Sequence, residues 1–328
     1  MKNITKKELN NCQTIINNIK NYYSERIIGQ EKLLESILIS LISNSHLLIE
    51  SVPGLAKTSA TKTISNAFNG MYTRIQCTPD LLPSDIIGTQ IFNYKTNKFE
   101  TKIGPIYSNF IHLDELNRSS AKTQSATLEA MQERQITIDN KIYKMPDIFI
   151  VIATQNPIEE DGIYTLSEAQ LDRFLIKEKI TYPTPNDEVR ILDLIEKNTK
   201  KTNKQLLKLE DLKYLQEISK KVYLDVKIKK YIVEIINATR NPEKYLNTEY
   251  ASYIELGSSP RGTISFMLCS KALALLKGRT YVTPDDIKDL RYIVLRHRII
   301  LNYEAYSQKI SVENIIDKIF ESIETPWN

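Results

Sequence analysis

The chain is poor in the features that mark secreted, membrane-spanning or disulfide-bonded proteins. Among its 328 residues only three are cysteine, Cys12, Cys77 and Cys269, far apart and odd in number. They offer no metal-ligand spacing and no disulfide framework, which favours a reducing compartment. No apolar run approaches the roughly 18 residues that a membrane-spanning helix requires. The opening MKNITKKELNN has no apolar stretch behind its lysines, so a secretory leader is not expected there. A cytoplasmic protein is the expectation. An excess of one charge is lacking too: 44 Lys and Arg stand against 40 Asp and Glu, a formal net charge of +4. That excess forms no clustered basic stripe, which argues against a nucleic-acid-binding face. The lysine-rich run at 196–208 reads as the solvated end of a helix and its loop. Internal repeats and low-complexity segments are absent as well. What remains is an ordinary globular composition, 41% hydrophobic and 26% charged, at a length suited to about two domains.

Periodicity places the elements. Apolar side chains recur at helical spacing over residues 10–23 and 31–43. HLLIE at 46–50 is a short apolar run of strand length, and 59–69 reads as helix. Further buried strands are expected at 72–76, 109–113 and 148–153, with a helix at 121–134 among them. Strands alternating with helices predict an α/β fold: a parallel sheet covered on both faces. Two hairpins interrupt the plan, one at 88–105 around KTN and one at 134–147 around Asp-Asn. Beyond TYPTPND the character changes, punctuated by Pro183 and Pro185. From 187 onward nearly everything reads as helix, with a turn-rich break at 254–262. A boundary near Thr184 divides the chain into an αβα core, 1–184, and a helical unit, 185–328.

Directly after HLLIE comes ESVPGLAKTSA, residues 50–60. It approaches the phosphate-loop pattern G-x-x-x-x-G-K-[ST], whose backbone N–H groups cradle phosphates. Lys57 and Thr58 are in place, but Ser51 and Ala56 stand where glycines are usual, and only Gly54 remains. Backbone N–H groups, the helix N-terminus and the lysine charge do the binding. Serine and alanine keep their N–H groups, so the loop of Val52, Pro53, Gly54, Leu55, Ala56, Lys57, Thr58 and Ser59 can hold a nucleotide, provided 51 and 56 sit at negative φ. Taken alone the stretch also reads as a turn with a solvated lysine.

The other polar groups cluster at strand ends. FIHLDELNR at 110–118 is an apolar strand ending in Asp114 and Glu115. At the C-terminal end of a parallel strand such a pair points into the ligand crevice. Asp114 and Thr58 would hold Mg²⁺, and Glu115 would act as general base toward water. An acidic helix start is the plainer alternative. His112, on the same strand, reads as a packed, hydrogen-bonded histidine. IVIATQNP at 150–157 ends a second buried strand in Gln155 and Asn156; an amide there orients water, or forms a turn before proline. In SEAQLDRF at 167–174, Arg173 suits transition-state charge on a neighbouring subunit's phosphate, or a helix C-cap, or an ion pair with Asp172 or Glu168. GSSPRGT at 257–263 begins a helix with Arg261 in its first turn, where the helix dipole opposes a positive charge. An anionic ligand would offset that local cost.

With these residues in order, nearly the whole chain resembles the MoxR family of AAA+ ATPases. VPGLAKT is similar to that family's Walker A, which itself carries Ala before Lys, so Ser51 is the departure from its pattern. LDELNRSSAKTQSATLEAMQE resembles Walker B with its following helix, ATQNP sensor 1, EAQLDRF the arginine-finger segment and SPR sensor 2. VTPDDIK and VLRHRIILNYEA resemble the end of the lid. RIIGQ resembles the segment packed near adenine, which implies contacts from Ile28 and Gly29. The hairpins resemble the two insertions of the family's relatives, which include magnesium chelatase. The resemblance implies an AAA+ αβα P-loop core followed by a helical lid domain, with ATP and Mg²⁺ bound between subunits of a ring, usually a hexamer. It implies Arg173 acting on the neighbour, Arg261 in cis or in trans, and chaperone-like remodelling of client proteins, often ones with a von Willebrand factor A domain. Two other readings stay open. A nucleic-acid-stimulated motor draws on the hairpin lysines Lys95, Lys98, Lys102, Lys141 and Lys144, and a nucleotide-binding scaffold with little turnover draws on Ser51.

Overall fold

The computed structural model describes residues 4–157, 164–196 and 207–327. In chain order the strands are β1 Leu47–Glu50, β2 Tyr72–Gln76, β3 Gly88–Asn93, β4 Lys98–Ile103, β5 Phe110–Asp114, β6 Gln135–Ile138, β7 Lys141–Lys144, β8 Ile150–Gln155, β9 Ile176–Lys179, β10 Ile254–Leu256 and β11 Ile300–Leu301. The helices are α1 Lys6–Ser24, α2 Glu31–Ile42, α3 Lys57–Phe68, α4 Pro83–Ile87, α5 Ala121–Glu133, α6 Glu168–Leu171, α7 Pro185–Glu196, α8 Leu209–Lys221, α9 Val226–Arg240, α10 Thr248–Ser252, α11 Pro260–Leu276, α12 Pro284–Leu295, α13 Tyr303–Ser307 and α14 Val312–Ser322.

The expected parallel sheet has five strands in the order β2–β5–β8–β1–β9. Its three central strands, β5, β8 and β1, are short, mostly buried runs because both faces are covered, while β2, expected as a buried strand, and β9 lie at the margins and alternate with polar residues. Leu47 and Ile49 of β1 join one apolar cluster, and Leu48 between them joins the other. In β5, Phe110 faces the first cluster while Ile111 and Leu113 face the second. The register is in phase across the sheet: Leu47 lies opposite Ile152 of β8 and Ile176 of β9. On the second face α4, α5 and the β6–β7 hairpin supply Ile86, Leu128, Met131 and Ile136. The β3–β4 and β6–β7 hairpins stand apart as separate two-stranded sheets, as expected.

The first face is where the two halves of the chain meet. One continuous cluster holds Ile16 of α1, Ile37 of α2, Ile64 of α3, Leu215 of α8 and Leu273 of α11. Helices α1 and α2 therefore act as a bridge between sheet and helical unit. Polar bonds add to it: Gln13 Nε2 donates to the Leu275 carbonyl at 2.7 Å, and Gln216 Nε2 to the Leu41 carbonyl at 2.8 Å. Two local expectations change. Part of the turn-rich break at 254–262 is strand: β10 pairs antiparallel with β11. The helix after the loop begins at Lys57, two residues earlier than its apolar spacing suggests.

Candidate functional site

Because the five strands are parallel, the sheet has two chemically distinct edges. The loop at 51–56, Asp114–Glu115 and Gln155–Asn156 follow the C-terminal ends of β1, β5 and β8. His46 and Arg173–Leu175 precede the N-terminal ends of β1 and β9, and Leu175 N donates to the His46 carbonyl at 3.0 Å.

The loop edge is built by turns and by strand register. Gly54 sits at φ +87, a conformation side chains avoid, and an added Cβ would meet nothing within 4 Å. Its glycine therefore serves conformation and not space. Ser51 is buried at negative φ, as the loop requires, and its N–H donates to the Gln155 carbonyl at 3.2 Å. Ala56 departs from the stated condition. It adopts φ 56 and ψ 18, left-handed, as the cap of α3. The fold thus imposes here a conformation that glycine takes without cost and alanine takes at about 1 kcal/mol. Lys57 Nζ lies 3.3 Å from the Ser51 carbonyl, across the mouth of the loop.

Asp114 and Thr58 converge on one buried imidazole. His112 Nε2 lies 3.1 Å from Thr58 Oγ1 and 3.7 Å from Asp114 Oδ1, and His112 Nδ1 is 3.3 Å from Thr61 Oγ1. The expectation of a packed, hydrogen-bonded histidine holds, and its packing ties the strand acid to α3. The His112 imidazole, ahead of Arg74 and Thr154, holds the Asp114 carboxyl well below the usual carboxylate range against the opposing effect of burial. Arg74 Nη2 donates to Asp114 Oδ2 at 2.6 Å, and Thr154 Oγ1 to Oδ1 at 3.0 Å. Glu115 is left-handed at φ 57; its N–H donates to Thr154 Oγ1 at 2.8 Å, and its Oε2 accepts from Gln76 Nε2 at 3.0 Å. Backbone strain of this kind concentrates at functional sites. Asn156 is buried next to Asn117, whose Nδ2 donates to the Asn156 carbonyl at 3.5 Å. Gly29, next to Ile28 in the chain, comes close to the start of α7: a Cβ on it would lie 3.0 Å from the Cβ of Asp187.

An ionised carboxylate and a hydroxyl are hard oxygen donors, the kind Mg²⁺ takes alongside phosphate and water. Among the described residues no group of three or more His, Cys, Asp or Glu could hold a metal by itself. The donor set therefore suits a cation delivered with a phosphate ligand, not a resident metal in an all-protein cage.

The second edge is an arginine pocket. A cavity of about 230 Å³ is lined by Arg134, Arg173, Arg261 and Arg298, with Asp172 the one carboxylate among its lining residues. Arg298 is buried; its Nε donates to Asp172 Oδ1 at 2.8 Å and its other nitrogens to the carbonyls of Phe174, Leu175 and Val294. Ser259 caps α11 and donates to Asp172 Oδ2 at 2.7 Å. Arg261 is less tightly held: Nη2 donates to Gln132 Oε1 at 3.2 Å, and Nη1 is 3.8 Å from Asp172. Arg173 Nε is buried with no hydrogen-bond partner among the described residues. Arg134, at the left-handed end of α5, donates to the Asn44 carbonyl.

Residues 46–176 match the ATPase family associated with various cellular activities (AAA), and residues 246–319 match the AAA lid domain. Chaperone MoxR1 of Mycobacterium tuberculosis is 42% identical over 92% of this chain and 79% of its own length. The chain belongs to the MoxR family of AAA+ ATPases. A protein of Bacillus subtilis, named Uncharacterized protein YeaC, is also 42% identical, over 92% of this chain and 91% of its own. A solved structure from Cytophaga hutchinsonii, named as a candidate ATPase, superposes with a TM-score of 0.91 at 40% identity, over 98% and 97% of the two chains. These matches agree with the AAA+ core, its parallel sheet and the helical lid.

Sequence reasoning singled out Thr58, Asp114, Glu115 and Asn156, and the MoxR fold brings them to one edge. It brings Arg173 and Arg261 together at the other. Sequence reasoning missed Arg74, Thr154 and Gln76, and it offered Asp172 as a partner for Arg173, whereas Arg298 takes that carboxylate. A faint signal existed for two of these: Arg74 and Gln76 are polar at period two on β2, beside the acid-bearing strand.

Proposed function

We propose that this protein hydrolyses ATP with Mg²⁺ at a site completed by a neighbouring subunit, and that the cycle drives chaperone-like remodelling of client proteins. One observation carries the reading: the two polar groupings lie on opposite edges of one sheet. Strands of four residues in β1 and six in β8, at about 3.3 Å per residue, separate those edges by about 13–20 Å. An arginine at one edge does not reach a phosphate held at the other, so the second edge must serve another copy. Closed head-to-tail contacts make rings, and a hexamer is the form its family suggests.

In this reading the backbone N–H groups of 52–59 and the start of α3 cradle the phosphates, and Lys57 meets their outer charge. Ile28 and Gly29 border the base. Thr58 and Asp114 would hold Mg²⁺, which would supply positive charge against the charge that develops on the phosphates. To receive it, Asp114 Oδ2 exchanges the Arg74 guanidinium, whose side chain is half exposed. Glu115 accepts the proton of the attacking water, and Asn156 orients that water. Arg173 and Arg261 of the next copy stabilise the transition-state charge; the orphaned Arg173 Nε supports this. The division near Thr184 separates core from lid, and the hairpins pass the motion to the client. The name Chaperone MoxR1 supports a client-directed role; partners with a von Willebrand factor A domain and a cytoplasmic location belong to the same proposal. Among the described residues no helix is long and apolar enough to cross a membrane.

The test is ATP hydrolysis per subunit across a protein dilution series, with Glu115→Gln as control. The expected rate climbs, saturates and is absent in the variant. A flat rate at all dilutions, together with full turnover by Arg173→Ala, would overturn the shared site.

A further inference from the structure

Among the helices that carry apolar side chains into solvent, α7 and α11 start at opposite edges of the sheet. Helix α7 follows β9 and starts beside Gly29, at the loop edge. It has no buried residue, and Val189, Leu192 and Ile195 are 59%, 62% and 67% exposed. At helical spacing these three share a face. Glu188, Asp193 and Glu196 flank that face, so it is apolar with an acidic border. Helix α11 starts at the arginine edge, tied there by the Ser259–Asp172 bond. Its outward face carries Arg261, Ile264, Met267 and Lys271; Ile264 is 52% and Met267 36% exposed. This face is apolar with a basic border, and Ile264 lines the arginine cavity itself.

We infer that the α7 face of one copy packs on the α11 face of the next, making the contact that brings Arg173 and Arg261 to the neighbour's loop. The inference rests on the shared-site reading and adds the surface that forms it. Three features select a second copy as the occupant. The borders are of opposite sign, so the two faces attract each other and each repels its own kind. The patches differ, which gives a head-to-tail contact and not a two-fold one. Helix α7 starts at the loop edge and α11 at the arginine edge, so joining their faces also brings the two edges together.

Cross-linking tests it. Cys12, Cys77 and Cys269 are all buried, and burial pushes the Cys12 thiol up to about 11 and the Cys77 thiol up to about 12. New surface thiols are then the reactive ones. A chain carrying both Leu192→Cys and Met267→Cys, treated with a short bis-maleimide, is expected to give a ladder of covalent oligomers; each single variant is expected to stay monomeric on a denaturing gel. Separately, Leu192→Asp should raise the concentration of half-maximal hydrolysis by about tenfold or more while the isolated subunit still binds a fluorescent ATP analogue. No ladder at concentrations where the wild-type rate has saturated would overturn the α7–α11 contact and leave the shared site standing. Self-linking of the Leu192→Cys single variant would overturn the head-to-tail geometry. Failure of the dilution test above would remove the shared site whatever the gel shows.

Discussion

The loop edge and the arginine edge of the sheet hold their charges in opposite ways. At the loop edge each acid is answered within the chain: Asp114 by Arg74 and Thr154, Glu115 by Gln76 and Arg118. At the arginine edge Asp172 is the one carboxylate lining a cavity with four guanidiniums, and it is already engaged by Arg298 and Ser259. The first edge answers its own acids and offers the loop N–H groups and Lys57 to the phosphates of the proposed nucleotide. The second has a surplus of positive charge that nothing in the same lining offsets. Uncompensated cations in a partly buried cavity are costly, and a neighbour's phosphates would relieve that cost. The difference teaches that the two edges are charged unequally, one with its acids paired within the chain and one with a surplus of guanidiniums, which is what the shared-site proposal would need.

The largest expected effect breaks one half at a time. Glu115→Gln should cut turnover by about 10²–10⁴-fold, and Arg173→Ala by about 10³–10⁵-fold, each with nucleotide still bound. An equal mixture of the two inactive proteins should regain activity, since roughly a quarter of the contacts then pair an intact loop edge with an intact arginine edge. Mixed oligomers that stay inactive would show that the two edges do not act across a contact.

A smaller effect separates the edges by stability. Asp172→Asn removes the anionic partner of buried Arg298, and should lower unfolding free energy by about 3–5 kcal/mol. Removing Arg74, half exposed in its pair with Asp114, should cost about 0–1 kcal/mol. Urea unfolding of both variants checks the contrast; equal losses would mean that the arginine edge is no more dependent on its one anion than the loop edge is on its cation.

The smallest effect concerns the loop alone. Ala56→Gly should stabilise the protein by about 1 kcal/mol, because glycine takes φ 56 without the clash alanine suffers. A loss of stability in thermal unfolding would mean that the methyl group packs usefully enough to outweigh its strain.

Much of the core was legible because its signals are local. A buried strand is a short apolar run, and an acidic pair directly after one stands out, as Asp114 and Glu115 do. The supporting groups were not legible. Thr154 reaches Asp114 across 40 residues, and Arg298 reaches Asp172 across 126. Strands of three and two residues, as in β10 and β11, are too short to show a period. Ala56 misled for another reason: side-chain identity sets a preference for φ, and the surrounding turn overrode it.

The sequence by itself determined the alternation of strand and helix, the phosphate-loop-like turn, the candidate residues after each strand and the family, since these depend on neighbours along the chain. Only the tertiary structure decided which edge each residue occupies. Parallel strands set every C-terminal end on one side and every N-terminal end on the other, and that direction, which no local stretch encodes, placed the acids and the arginines apart.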